Sequence, residues 1–196
     1  PDQFSNELNV QCHYQTTGQE ILDQLPQDRA PIEAFVAGVG TGGTLIGVGK
    51  ALRERFPDVR IVAVEPEESP VMSGGEAGRH TIFGIGDGFV PPIARSLEGD
   101  LHDLIDEVCV IASSEALETA AHLREHYGLC VGISSGANYA AARSIAREGT
   151  VVTLFADGYE KYRSHGLTQA HDPGCPFAEC CKGRAERLAP DGQRIE

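Results

Sequence analysis

The residues best placed to do chemistry stand between Gly38 and Thr44, in the run Gly38-Val-Gly-Thr-Gly-Gly-Thr44. Four glycines there can bring backbone N–H groups close to a ligand, and two threonines add hydroxyls. If a helix starts at this turn, its unpaired donors and partial positive charge make the spot a cradle for an anion, most simply a phosphate. A tight strand-to-helix turn with no ligand would use the same glycines. The spacing Gly38-x-Gly40-x-x-Gly43 also matches a dinucleotide turn, with Glu65 at the end of the next apolar run where an acid could hold a ribose hydroxyl. By itself this stretch reads as a nicotinamide site.

Other groups could take part. Ser134 and Ser135 precede a small-residue run that reads as a helix, and as N-caps they need no further role. Lys50, Lys161 and Lys182 fall on a helix, after the last strand and in the tail, where lysines are ordinarily solvated. His171, Cys175, Cys180 and Cys181, with His165 upstream, supply an inventory for zinc. Cys180 and Cys181 are adjacent and no C-x-x-C pair is present, so one short loop would close a tetrahedral site only with strain. The competing reading is an exposed extension with oxidisable thiols.

The elements that must carry these residues are legible in the apolar pattern. Phe35 to Val39, Val59 to Val64, Val108 to Ile111 and Thr150 to Phe155 read as four buried strands. Leu45, Val48, Ala51 and Leu52 give an amphipathic helix after the glycine turn, and the first two strands should then lie parallel across it. Thr16 to Leu25 reads as a helix with a Thr cap, behind an opening segment around Phe4 read as loose. Ser114 and Glu115 start a helix keeping Ala116, Ala120, Leu123 and Tyr127 on one face until Gly128 stops it, and Ala137 to Ala146 follows as another. Residues 66–100 are irregular and rich in Gly and Pro, a length usually reserved for function. The expected fold is α/β, an open, mostly parallel twisted sheet with helices on both faces over residues 1–164, followed by a loosely ordered tail, 165–196.

The chain has 196 residues and a formal charge of −13, from 29 acids against 16 Lys and Arg, with no basic stripe. Nucleic acid is therefore not an expected partner, and an anionic ligand must be held by local donors against the overall field. No apolar run approaches the ~20 residues of a membrane span, and the first residues lack a signal-peptide pattern, so a cytoplasmic location is the expectation. Cys12, Cys109 and Cys130, in patterned segments, are expected to be buried and reduced.

Taken together, Gln3-Phe-Ser-Asn6, Thr16-Thr-Gly18, Gly38 to Thr44, Val64-Glu-Pro66, Ser73-Gly-Gly75, Gly84-Ile-Gly-Asp-Gly-Phe-Val-Pro91 and Gly132-Ile-Ser-Ser-Gly136 resemble the cysteine synthase and cystathionine β-synthase family. These are pyridoxal-phosphate enzymes of the tryptophan-synthase-β fold type. The resemblance runs in unbroken order over residues 1–164, and it displaces the nicotinamide reading. It implies pyridoxal 5′-phosphate as cofactor, with Gly40, Thr41, Gly42, Gly43 and Thr44 on its phosphate and Ser134 at the pyridine nitrogen. It also implies that Gln3 contacts the substrate carboxylate and that Gly84 and Gly86 line the site, although a Gln so near the start of the chain could simply be solvated. Asp87 stands where many relatives have a small residue.

The implied reaction is β-replacement, making L-cysteine from O-acetylserine or a related β-substituted alanine and sulfide, on a homodimer in the full-length enzyme. Relatives that make cystathionine or release sulfide from cysteine are the alternative within the same chemistry, and a non-catalytic module binding phosphate or a partner is the alternative outside it. The family's Schiff-base lysine and its substrate-carboxylate loop lie upstream of the matched region, and no lysine here occupies that position. The resemblance therefore covers only the C-terminal portion of such an enzyme. The chain is expected to be inactive without a segment lost from its N-terminal side or supplied by a partner chain.

Overall fold

The computed structural model describes residues 2–25, 32–165 and 167. At its centre is β1 (Ile32–Gly38), which pairs in parallel with β2 (Arg60–Pro66) on one side and β4 (Thr150–Thr153) on the other. β3 (Glu107–Ile111) pairs in parallel with β2, so the order is β3-β2-β1-β4. This is the open parallel α/β sheet that the apolar runs lead one to expect.

β1 and β2 are apolar at successive positions because helices cover both of their faces. Phe35 and Ala37 of β1, with Ile61 and Ala63 of β2, pack in one cluster with Leu45, Val48 and Leu52 of α3 (Gly43–Arg55). The alternate residues Ala34, Val36, Val62 and Val64 pack in a second cluster, with α4 (Ser113–Tyr127) and α5 (Ile133–Ile145). The two-residue period of the strands thus feeds two cores.

Among the described residues two helices precede β1. The opening segment is ordered where the sequence suggests looseness: α1 spans Glu7–Gln15, N-capped by the Asn6 side chain, which accepts from the Leu8 amide at 3.0 Å. It was illegible as a helix because Val10 is its only buried residue, and so it shows no apolar stripe. α1 lies against α3, and Gly47 permits the approach, since a Cβ there would stand 2.5 Å from the Val10 carbonyl oxygen. α2 (Thr17–Gln24) has Thr16 at its N-cap position, but that hydroxyl donates to the Cys12 carbonyl at 2.8 Å and caps nothing.

Other boundaries shift for local reasons. Ala112, not Ser114, is the N-cap of α4, whose Ser113 amide donates to the Glu68 carboxylate at 2.9 Å. Gly128 ends α4 at φ 67°, as a left-handed cap, while Tyr127 turns off the buried face and is 56 % exposed. Cys12 is exposed and Cys109 and Cys130 are half-buried, so the expected burial fails at Cys12; none of the three is in a disulfide. Among the described residues no helix is long and apolar enough to cross a membrane.

Glu33 staples the N-terminal edge of the sheet. Its carboxylate accepts from Arg60 at 2.8 Å and from the amides of Arg147 and Gly149 at 3.2 and 3.1 Å, joining β1, β2 and the lead into β4. Burial pushes this carboxyl up, but the Gly149 and Arg147 amides and the Arg60 guanidinium together hold it below the ordinary glutamate value. The folded state binds the proton less well than the unfolded chain. Its stabilisation is therefore complete above the unfolded pKa, ~4.3, and is lost as pH falls through the lower folded value. Urea midpoints measured from pH 7 down to 3 should fall more steeply for the natural chain than for Glu33→Gln. Parallel curves would remove Glu33 from the acid limb.

Candidate functional site

The C-terminal ends of β1 and β4 open into a cavity of about 520 Å3, within the ordinary range for a cofactor or small ligand. Gly40, Thr41, Gly42 and Thr44 line it at the start of α3, and Ser134, from the first turn of α5, lines it too. The sheet brings these two groups together although about ninety positions separate them in the chain. Phe83, Gly84 and Ile85 contribute another part of the wall, and Asp157, Lys161 and Tyr162 contribute from the segment after β4.

The glycines are there for geometry. Gly42, the N-cap position of α3, has φ 88°, a conformation side chains rarely take. Gly40 lies so close to the glycine loop that an added Cβ would stand 2.3 Å from the Gly84 carbonyl oxygen. Gly43 does not line the cavity: it faces α1, where a Cβ would overlap the Asn9 side chain at 2.1 Å, and its amide donates to the Thr41 hydroxyl oxygen at 3.2 Å. The loop is tied to the end of β1 by the Gly86 amide, which donates to the Val39 carbonyl at 3.0 Å. Gly86 itself, at φ 70°, packs under Pro66 rather than lining the cavity, and Asp87 beyond it is exposed.

Ser134 is buried, at 6 % exposure, but it lies within α5 and Gly132 is the N-cap, so the capping role expected for the serines does not hold. One turn on, the buried Asn138 accepts from the Gly38 amide at 2.8 Å and donates to the Leu154 carbonyl at 3.0 Å. It fixes the first turns of α5 to the ends of β1 and β4, and thereby Ser134 to the glycine turn. Nothing in the sequence marked Asn138, because its partners are a hundred residues before it and sixteen after.

Gln3 is exposed and is not among the cavity-lining residues, although its carbonyl accepts from Asn9 at 3.0 Å. Lys50 is exposed on α3 and lines a different surface hollow. Lys161 stands at the cavity rim, 72 % exposed, 3.6 Å from the Asp157 carboxylate. The Tyr162 hydroxyl donates to the same carboxylate at 2.5 Å, and burial, then the Asp157 bond and charge, push its pKa up, so the phenol stays protonated.

Glu65 decides the nicotinamide reading. It is 1 % exposed and accepts from the Met72 amide at 2.7 Å, the Ser73 amide at 2.9 Å and the Ser73 hydroxyl at 2.6 Å. Both oxygens are committed to the loop after β2, and no carboxylate remains to hold a ribose. Lys182 and the candidate zinc ligands His171, Cys175, Cys180 and Cys181 lie outside the described residues. Among the described residues, no group of three or more His, Cys, Asp or Glu could hold a metal ion.

A family model described as pyridoxal-phosphate dependent enzyme matches residues 1–157. The chain belongs to this family. Among similar proteins, a cysteine synthase of Staphylococcus aureus (strain N315) is 42 % identical over 176 residues, which are 88 % of this chain and 54 % of that one. Among solved structures, a hydrogen sulfide-producing enzyme from Fusobacterium nucleatum superposes with a TM-score of 0.77 at 38 % identity, covering 86 % of this chain and 50 % of the other. An O-acetylserine dependent cystathionine β-synthase from Helicobacter pylori gives 0.74 at 37 %, covering 85 % and 53 %. The chain thus spans about half the length of the relatives it matches, and what it matches is their C-terminal portion. The cysteine synthase resemblance seen in its motifs holds, and so does the fold expected from it.

Proposed function

We propose that this chain is the cofactor-binding portion of a pyridoxal-phosphate enzyme that makes L-cysteine by β-replacement on O-acetylserine, or a related β-substituted alanine, with sulfide. One observation carries the reading: the glycine turn with its two threonines and the buried Ser134 line one cavity of about 520 Å3. A phosphorylated pyridine needs an anion cradle and a separate polar contact for the ring nitrogen, joined by a wall against which a flat ring can lie. The turn, Ser134, and the Gly84–Ile85 wall fit those needs, and the close packing of Gly40 on Gly84 keeps the cradle narrow.

When bound, pyridoxal phosphate supplies an electron sink for bond breaking at the substrate α and β carbons. The chain's own residues bind and orient. The backbone donors of Gly40 and Gly42, the Thr41 and Thr44 hydroxyls and the start of α3 hold the phosphate. Ser134 would offer the ring nitrogen a neutral hydroxyl, which, unlike a carboxylate, could not hold that nitrogen protonated and would suit elimination better than full charge delocalisation. Asn138 keeps the two contacts at a fixed separation. The acceptor of the substrate α-proton, the substrate-carboxylate loop and the lysine that anchors the cofactor belong to a segment outside this chain, joined to it or supplied in trans. The complete enzyme works as a homodimer in the cytoplasm. The hydrogen sulfide-producing and cystathionine-forming neighbours support a second reading within the same chemistry, in which cysteine or homocysteine replaces one of the partners.

Dialysis of the full chain against pyridoxal phosphate should show reversible binding, and borohydride treatment followed by peptide mapping should find no cofactor on Lys50 or Lys161. Cysteine formation from O-acetylserine and sulfide should be absent with the chain alone and appear when an upstream segment bearing the anchoring lysine is added. Turnover by the chain alone would sink the proposal.

A further inference from the structure

The two cavity threonines are held from behind by α1. Asn9 and His13, four residues apart and so on one helix face, reach Thr41 and Thr44 respectively. The side-chain nitrogen of Asn9 donates to the Thr41 hydroxyl oxygen at 2.9 Å and to the Gln3 carbonyl at 3.0 Å. A carbonyl oxygen only accepts, so this contact fixes which end of the Asn9 amide faces Thr41. The Gly43 amide is a second donor to the same hydroxyl oxygen, at 3.2 Å. Both Thr41 lone pairs are then occupied, and the group's remaining capacity is its proton.

His13 arranges the second threonine. Its Nε2 lies 3.2 Å from the Thr44 hydroxyl and its Nδ1 lies 2.9 Å from the Thr17 hydroxyl at the start of α2. Burial lowers the His13 pKa, so at neutral pH the ring is uncharged and carries one N–H. With the proton on Nε2, Thr17 donates to Nδ1, the imidazole donates to Thr44, and the Thr44 proton is released toward the cavity. With the proton on Nδ1, Thr44 must donate backward to the ring and is lost as a donor.

We propose that Asn9 and His13 are positioning residues of the anion site: by donating to Thr41 and Thr44 from behind, they aim both hydroxyl protons into the cavity, where a phosphate group receives them. The inference rests on the anion-binding reading of the glycine turn and goes beyond it, since neither residue lines the cavity. It also gives α1 a role, and it accounts for the glycine at position 43, where a Cβ would overlap the Asn9 side chain.

The test uses the full chain with inorganic phosphate as probe, at one pH, followed by 31P NMR. His13→Phe should weaken phosphate binding about tenfold, the loss of one hydrogen bond to a charged group. His13→Gln, which keeps a donor near the Nε2 position, should recover most of it. In a Thr44→Val background His13→Phe should change affinity by less than about twofold, because the group through which it acts is gone. Imidazole 15N shifts of the phosphate-saturated chain should report the Nε2–H tautomer. A His13→Phe effect of equal size with and without the Thr44 hydroxyl, or an Nδ1–H tautomer in the saturated chain, overturns the inference and leaves the cofactor reading standing. Phosphate binding that depends on His13 in a chain that does not bind pyridoxal phosphate overturns the cofactor reading alone. No phosphate binding by the natural chain overturns both.

Discussion

Glu65→Gln should cost this chain about 3 kcal/mol of stability. The natural carboxylate is buried and takes three donors, one from Met72 and two from Ser73, on its two oxygens. Glutamine has the same shape but only one acceptor oxygen. Its amide N–H2 must face either the Met72 amide or the Ser73 pair, setting donor against donor where water does not reach. For a domain of this size the loss corresponds to a fall in Tm of roughly 10 °C. Hydrogen exchange should accelerate at Met72 and Ser73 before it does in β1. An unchanged Tm would mean that the loop after β2 is held by something else. The result also bears on ligand choice, because an acid whose task was to hold a ribose could become Gln with little loss of stability.

Gly40→Ala should abolish most of the cavity's affinity while leaving the sheet folded. The added Cβ would stand 2.3 Å from the Gly84 carbonyl oxygen, and both groups are backbone, so no side-chain rotation relieves the overlap. The glycine turn and the glycine loop must separate, at a cost of about 1–3 kcal/mol, and the separation moves the Gly40 and Thr41 donors away from the start of α3. Affinity for pyridoxal phosphate should fall at least tenfold, which corresponds to about 1.4 kcal/mol. Gly99→Ala is the matched control: it forces a side chain onto φ 96° but meets nothing within 4 Å. That variant should lose some stability and keep its affinity. Equal affinities for Gly40→Ala and the natural chain would falsify the cradle.

Two scales of interaction separate what the sequence revealed from what it hid. The strand, turn and helix around Gly38 to Thr44 were legible because their causes are local: an apolar run, a cluster of glycines and an apolar residue every three or four positions. The same holds for β2 and β3, each read within two residues of its limits, and for Gly128 as the stop of α4. β4 ends at Thr153 rather than Phe155, because the chain leaves the sheet there to border the cavity. The family was legible too, but only as a resemblance of several motifs in order; the glycine turn alone pointed elsewhere.

Tertiary structure decided the rest, wherever a residue's role depends on a partner distant in the chain. Glu65 reads as a ribose acid until Met72 and Ser73 fold back onto it. Gly43 reads as a phosphate donor until α1 packs against it, and α1 is invisible to periodicity because its inward face carries the polar Asn9 and His13 rather than an apolar stripe. Asn138 is one amide among small residues until β1 and β4 supply its two partners. A buried polar side chain is stable only when its hydrogen bonds are met, and those bonds form between elements that composition and spacing cannot align. The apolar pattern of this chain therefore determined its sheet, and long-range polar contacts determined which of its candidate residues face the cavity.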